Sequence, residues 1–447
     1  MNRFSYTLLL RLLSPALLSW MWLRARKQSG EWQILSRERF GRYGRDETLS
    51  ELTGAVWVHA VSLGETRAAQ PLVKALLASG FKVLLTHTTP TAKTEGARLF
   101  SDAISSGELR QVWLPYDFPG SVQRFMAFFK PRCGILIERE VWPNLVRAAS
   151  RSGVSMVLAS ARFSEASLRQ SRWLGRVLRH AYASLDLVLA QTQPDADRLK
   201  EAGAHGPHVV GNLKFDVGLS PEQLEEGRRW RRNLGRPTMV IASTRDGEEE
   251  LFLAAMAALP RKPAQGTDAG ANPLAQMALH LLVPRHPQRF GEVATLLQSH
   301  FKSFVRRSSR AMPSPQDAVL LGDTLGEMGF YFAAADVAIV GGGFAPFGGQ
   351  NFIEACAAGT PVIVGPHMYN FSQATRDAVA AGAAIQVSTP EAALREAYAL
   401  LGDIARRTAM REAAKQWLST HVGATARIMQ ALRPWLGNAA LPHDSGQ

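Results

Sequence analysis

Four acidic side chains stand where a short apolar run gives way to a helical pattern. Glu65 closes the segment HAVSLGE (59–65), and Glu138 opens EREVWPN (138–144) directly after the run CGILI. Glu327 and Glu354 hold comparable places in GDTLGE (322–327) and QNFIE (350–354). A carboxylate at such a junction can serve as a general base or stabilise a cationic centre, and the positive end of the helix that follows keeps it ionised. The same positions also suit folding. Ser62 with Glu65, Thr324 with Glu327, and Asn351 with Glu354 all have capping-box spacing, in which the acidic side chain bonds back to a backbone N–H. Both readings stay open at this point. Asp195 and Asp197 spell D-x-D, a pattern that can mark metal-dependent sugar transfer, but they follow Pro194 at a helix start, where capping accounts for them.

Three further segments suit an anion. Ser243, Thr244 and Arg245 follow the run TMVIA with hydroxyls, backbone N–H groups and a guanidinium. Pro284 and Arg285 end the run LHLLV, with His286 next. The glycine-rich stretch from Gly341 through Gly342 and Gly343 to Asn351 leads from VAIV into a helix, and glycine lets a backbone approach a phosphate closely. Neither GxxxxGK[ST] nor GxGxxG is present, so a P-loop or a standard dinucleotide site is not indicated.

The elements that must position these residues alternate. Strand-like runs separated by amphipathic segments extend from Ala55 to Val209, and a second set extends from Thr238 to about residue 386. Apolar runs of this length joined by helices specify parallel sheets, and two sets predict two doubly wound α/β domains facing across a cleft. The expected boundaries are an N-terminal domain over 28–217, a polar linker over 218–236, a C-terminal domain over 237–436 and a flexible tail over 437–447. The last helical segment, from Ile404 to Leu436, has the option of crossing back to the first domain. Residues 261–273 (RKPAQGTDAGANP) read as a surface insertion.

The chain has 447 residues, a formal net charge of +13 and two cysteines. Such a length suits two domains, and the surplus charge suits anionic partners. Cys133 and Cys356 have neither CxxC nor Cys/His spacing, which points away from a zinc site. Nucleic-acid binding lacks a helix-turn-helix, RNP-like or zinc motif to support it. Residues 1–27 hold an apolar stretch, Thr7 to Leu23, with Arg24, Arg26 and Lys27 directly behind it. Positive charge after the apolar run predicts an uncleaved membrane anchor or interfacial helix with a cytoplasmic basic flank, facing an anionic membrane surface. The competing reading is a core helix of the first domain.

Taken in order, HAVSLGE (59–65), EREVWPN (138–144), SARFSE (160–165), GNLKFD (211–216), ASTRDGEEE (242–250), VPRHPQRF (283–290), GDTLGEMG (322–329), GGQNFIEA (348–355) and GPHMYNF (365–371) resemble the 3-deoxy-D-manno-octulosonic acid (Kdo) transferases of lipopolysaccharide synthesis. The chain departs from that pattern at Arg139, where a small residue is expected, and at Arg245 and Gln350, where histidine is expected. The resemblance implies a GT-B fold and an inverting, metal-independent glycosyltransferase without cofactor. Its donor would be CMP-Kdo and its acceptor a lipid A precursor (lipid IVA), at the cytoplasmic side of the inner membrane. It implies Glu65 as the general base, with Glu138 and Lys214 stabilising the transition state. It carries CMP contacts onto Pro284 and Arg285, onto Leu325, Gly326 and Glu327, and onto Asn351, Phe352, Ile353 and Glu354. Ser243, Thr244, Arg245, Gly342 and Gly343 are further candidate phosphate contacts. The alternatives are another GT-B nucleotide-sugar enzyme, such as a heptosyltransferase or sugar epimerase, and a non-catalytic membrane-bound binding module.

Overall fold

The computed structural model describes residues 1–27, 32–44, 52–258 and 277–437. The expected insertion at 261–273 and almost all of the expected tail lie outside the described residues. The chain divides into two compact units, residues 1–217 with 421–447, and residues 218–420.

Unit 1 is built on seven strands: β1 (Val56–His59), β2 (Val83–His87), β3 (Leu109–Trp113), β4 (Cys133–Ile137), β5 (Ser155–Ala161), β6 (Leu187–Ala190) and β7 (His208–Val209). They pair in parallel in the order β3-β2-β1-β4-β5-β6-β7. Every residue of β1, β2 and β4 is buried, as a sheet covered by helices on both faces requires. One face packs Trp57, Leu84, Phe125 and Leu136, and the other packs Val56, Leu85, Ile135 and Leu189.

Unit 2 has β8 (Thr238–Thr244), β9 (Leu279–Pro284), β10 (Val305–Arg306), β11 (Val319–Leu321), β12 (Val337–Val340), β13 (Val362–Val364) and β14 (Ala384–Gln386), all parallel, in the order β10-β11-β9-β8-β12-β13-β14. Both units are therefore doubly wound, as the alternation predicts.

Two expected boundaries move. Residues 218–236, expected as a linker, contain the helix Pro221–Leu234, which belongs to unit 2. Only Gly227 of that helix is fully buried, packed against the Phe330 carbonyl and Ala333, while Trp230 meets the Phe330 ring at 5.7 Å. Its inward face carries only Leu224, Gly227, Trp230 and Leu234 among many charged residues, so the outward charges disguise it. The second shift concerns the chain's end. The helix Ala424–Leu436 lies inside the expected C-terminal boundary but in the segment given the option of crossing back, and it takes that option, packing Ile428, Met429 and Leu432 into the core of unit 1.

The N-terminal stretch is one helix, Arg3–Lys27, longer than the run Thr7 to Leu23 by which it is recognised. Its segment Arg3–Leu23 is long and apolar enough to cross a membrane, and none of that segment is buried. Phe4 is 76% exposed and Leu12 69% exposed, which disagrees with a core helix. Its first turns dock on unit 1. The Tyr6 hydroxyl donates to Asp117 Oδ2 at 2.9 Å, and Thr7 Oγ1 lies 3.3 Å from Asn144 Oδ1.

Candidate active site

In a doubly wound sheet, ligands gather outside the carboxyl ends of the strands where the strand order reverses. In unit 1 that point lies between β1 and β4. The turn after β1 carries Glu65, and the turn after β4 carries Glu138. Two carboxylates far apart in sequence are thus delivered to one edge by topology alone.

Glu65 sits in the first turn of the helix Leu63–Ala78 and forms a complete capping box. Ser62 Oγ accepts from the Glu65 N–H at 3.3 Å, while Glu65 Oε2 accepts from the N–H groups of Val61 at 2.6 Å and Ser62 at 3.1 Å. Its carboxyl is pushed up to about 8 by burial, then by the charges of Glu138 and Glu140, against the lowering effect of those backbone bonds. The helix end was expected to keep it ionised. Burial and two neighbouring carboxylates outweigh that field, so the cap is also a proton-holding group poised near neutrality.

Glu138 leaves β4 in the left-handed region, at φ 62°, a conformation that is costly for a residue with a Cβ. Its N–H donates to Ala159 O at 3.1 Å and its carbonyl accepts from the Arg162 N–H at 3.2 Å, so the strained residue is held on both sides. The side chain pairs with Lys214 Nζ at 2.7 Å, and both are largely buried. Burial alone would raise the Glu138 carboxyl. The Lys214 ammonium, with Arg162 and Arg139, overrides it and holds the group below the usual carboxylate range. Glu65 and Glu138 thereby stand apart in protonation, one proton-holding and one ionised.

Lys214 is placed by a short 3-10 turn, Leu213–Asp216. Asn212 Oδ1 accepts from the Lys214 N–H at 3.0 Å, and Ser160 Oγ accepts from the Leu213 N–H at 3.3 Å. Asp216, in the same turn, accepts from the backbone N–H groups of Gly423 at 2.7 Å and Thr425 at 2.5 Å. The helix that returns to unit 1 therefore anchors the turn carrying Lys214, a connection spanning some two hundred residues of sequence.

In unit 2 the reversal lies between β8 and β12. Strand β8 ends on Ser243, at φ 59°, and Thr244, with Arg245 next; β9 ends on Pro284, with Arg285 next; the glycine-rich turn follows β12. Arg285 Nε donates to Gln350 Oε1 at 3.1 Å, and the Arg245 guanidinium lies 4.6 Å from the Phe347 ring centroid. Two of the three departures, Arg245 and Gln350, therefore border this patch. His286 is driven down to about 4 by burial, then by Arg285, Arg245 and Arg289, so the imidazole is neutral beside concentrated positive charge.

Several candidate contacts are engaged elsewhere. The glycine-rich turn is built around Glu248, which is fully buried and accepts from the N–H groups of Gly342 at 2.6 Å, Phe344 at 2.9 Å, Ala345 at 3.2 Å and Arg245 at 2.9 Å. A Cβ on Gly341 would lie 2.9 Å from Glu248 Oε2, so the glycines admit an internal carboxylate. The Gly342 N–H thus already has an anion. Gly343 is pressed against Met368 and Gly365, and Thr244 Oγ1 donates to the buried Glu249 at 2.6 Å. The Phe352 and Ile353 side chains are in the core, Phe352 stacking on Trp417 at 5.9 Å, which leaves only their backbone to a ligand.

Leu325 is 62% exposed, and Gly326 at φ 80° accepts at its carbonyl from Gln223 Nε2. Thr324 donates to Glu327, which also pairs with Arg307 at 3.1 Å. Thr324 and Glu327 help line a cavity of about 650 Å³ with Arg307, Arg310, Arg229 and Trp230. Asn351 Oδ1 accepts from the Ile353 N–H at 3.3 Å, and its Nδ2 donates to Glu354 at 2.9 Å. The Thr324–Glu327 and Asn351–Glu354 pairs are side chain to side chain, so their capping-box spacing makes no reciprocal box. Asp195 accepts from the Phe163 N–H and from the Thr192 hydroxyl, and Asp197 from the Gln193 amide; the cap of this helix is Thr192 rather than either aspartate.

Sequence reasoning did not single out Glu248, Ser160, Asn212, Arg307 or Trp230. Glu248 stands in a run of three glutamates, and nothing local distinguishes the two that turn inward, Glu248 and Glu249, from Glu250.

Comparison with known proteins agrees with this arrangement. A family profile described as 3-deoxy-D-manno-octulosonic-acid transferase (kdotransferase) matches residues 36–217. A 3-deoxy-D-manno-octulosonic acid transferase of Bordetella pertussis is 56% identical over 438 residues, 98% of this chain and 100% of the relative. One from Haemophilus influenzae is 32% identical over 98% of this chain and 99% of the relative. Among solved structures, a glycosyltransferase from Rickettsia africae superposes with a TM-score of 0.56 at 13% identity, over 86% of this chain and 99% of that one, a likeness of GT-B fold alone. With near-complete coverage at such identity, and with the carboxylates and lysine of the resemblance gathered at one sheet edge, this chain belongs to the Kdo transferase family of glycosyltransferases, which act in lipopolysaccharide synthesis.

Proposed function

We propose that the protein transfers Kdo from CMP-Kdo to a lipid A precursor at the cytoplasmic face of the inner membrane, with inversion at the transferred carbon. The carrying observation is the split between Glu65, which holds a proton near neutrality, and Glu138, held ionised against Lys214. In this reading the acceptor hydroxyl gives its proton to the unprotonated form of Glu65 as its oxygen bonds to the ketosidic carbon. The bond from that carbon to the CMP phosphate oxygen breaks, and CMP leaves as the anion. Glu138 stabilises the positive charge that develops on the sugar, and Lys214 balances the carboxylates. The Arg245–Arg285 patch of unit 2 receives the donor phosphate, together with backbone at 325–327 and 351–354. The exposed helix Arg3–Leu23 attaches the chain to the bilayer, and the surplus positive charge favours an anionic surface.

Incubation with CMP-Kdo and tetraacylated lipid A precursor should give a product heavier by a Kdo residue, while ADP- and UDP-sugars give none. Turnover of those sugars instead would support a heptosyltransferase or epimerase, and no turnover of any donor a binding module.

Two results should follow. A base must be unprotonated, so kcat/KM should climb about tenfold per pH unit below a midpoint near 8 and level off above it. A flat profile between pH 6 and 9 would remove Glu65 from that role. The same raised affinity for a proton acts on stability: its contribution is complete below the unfolded value near 4.5 and is lost as pH rises through about 8. For the donor, Arg285→Ala should weaken CMP binding by roughly 1.5–3 kcal/mol, as expected for a charge-assisted contact. Unchanged CMP affinity by calorimetry would move the phosphate elsewhere.

A further inference from the structure

The loop that delivers Glu138 does a second thing. Its continuation, with the helices Glu165–Leu174 and Arg176–Ala183, encloses a cavity of about 370 Å³ within unit 1. Val141, Trp142, Phe163, Val177 and Tyr182 line it, and Tyr6 of the N-terminal helix also contributes to the wall. We propose that this cavity receives one acyl chain of the lipid acceptor. The proposal rests on the reading that the acceptor is a lipid, and it names where that lipid's hydrocarbon goes.

Three observations carry it. The first is reach. Trp142 is four residues from Glu138, so their backbones are at most roughly 14 Å apart. A glycolipid whose sugar hydroxyl lies at the carboxylates has its acyl chains within that range. The second is continuity with the apolar helix. Tyr6 stands on the wall and is tied to Asp117, which in turn accepts from the N–H groups of Asn144 and Leu145 at the end of the same loop. The helix whose remaining apolar side chains face outward thus also forms one side of the cavity. Trp142 is 37% exposed and Trp173, next to the lining residue Leu174, is 78% exposed; indole rings of this kind sit at the boundary between water and hydrocarbon.

The third is size and polarity. The space is too small for a helix of about 10 Å diameter but large enough for an unbranched chain, and its wall is mainly apolar, with Ser167, Gln170 and Ser171 as its uncharged polar members. Its two charged lining residues, Arg139 and Glu140, belong to the Glu138 loop, and Glu140 is partly engaged by the Trp142 indole N–H at 3.1 Å. An amphiphile could place hydrocarbon among the aromatic residues and its polar head toward Glu138.

The test compares two acceptors on the full-length protein: the tetraacylated precursor and its fully deacylated, water-soluble backbone. Leu174→Trp fills the cavity from a half-buried position outside the catalytic group. Each methylene moved from water into apolar surroundings is worth roughly fourfold in binding, so loss of even two should raise KM for the acylated acceptor about tenfold or more. KM for the deacylated acceptor, CMP affinity and melting temperature should stay within about twofold or unchanged. A second measurement does not depend on that variant. An acceptor with a photoreactive diazirine near one acyl terminus should label the peptide 163–182 of the unaltered protein. Equal KM changes on both acceptors, or labelling elsewhere, would overturn the proposal. So would labelling of 163–182 by a diazirine phospholipid that the acceptor does not displace, because that would make the occupant a bulk lipid. Absence of Kdo transfer to either acceptor would instead count against the function on which the proposal rests, a result distinct from transfer with an indifferent cavity.

Discussion

Glu65→Gln should leave a folded protein that binds CMP normally and turns over at least about a hundredfold more slowly. The structure makes this a clean comparison, because Glu65 has both roles the sequence allows. As a cap it accepts two backbone N–H groups, and loss of a capping interaction costs about 0.5–2 kcal/mol. The glutamine oxygen can still accept those bonds, so the melting temperature should hardly move. As a base it must take a proton, which an amide cannot do, and general-base loss costs about 10²–10⁴-fold in rate. Burial adds a second signature: the rise in kcat/KM with a midpoint near pH 8 should disappear from what activity remains. A variant with normal turnover would leave Glu65 as a cap and send the search for the base elsewhere.

The second large effect concerns the Glu138–Lys214 pair. Lys214→Met should destabilise the protein by about 3–5 kcal/mol, because it strands a buried carboxylate whose partner lies 2.7 Å away. Glu138→Gln should be milder in stability and should lower turnover by about 10²–10³-fold, the usual loss when a preorganised charge at the reacting centre is removed. The double variant separates the two contributions. Glutamine opposite methionine buries no charge, so stability should recover most of what Lys214→Met lost, while turnover stays low. A double variant that regains both stability and rate would make the pair a structural device. Thermal melts and single-turnover rates on the four proteins complete the cycle.

In unit 2 a candidate contact is already engaged within the fold. The glycine-rich turn after β12 has the composition of an anion-binding loop, and it does bind an anion: the carboxylate of Glu248, from its own unit. A local pattern can specify that backbone N–H groups will converge. It cannot specify which acceptor reaches them first. The cationic patch therefore falls to Arg245 and Arg285, the latter steadied by Gln350.

By itself the sequence determined the two parallel sheets, because apolar runs of strand length separated by helical periodicity admit few other arrangements, and it determined which turns hold carboxylates and which hold cations. The exposed apolar helix was legible too, since its length and basic flank are local properties. Tertiary structure decided what those groups do to one another. Glu65 and Glu138 are seventy-three positions apart and interact because strand order reverses between β1 and β4. The helix 221–234 escaped detection because charged residues outnumber the few apolar ones beside Gly227 that seat it, and the helix 424–436 is claimed by unit 1 because Ile428 and Leu432 complete that core. Proton affinity is likewise a property of the assembled site. The same residue type gives a group near 8 at position 65 and an ionised partner at 138, since burial, neighbouring charge and a lysine brought from position 214 exist only once the chain has folded.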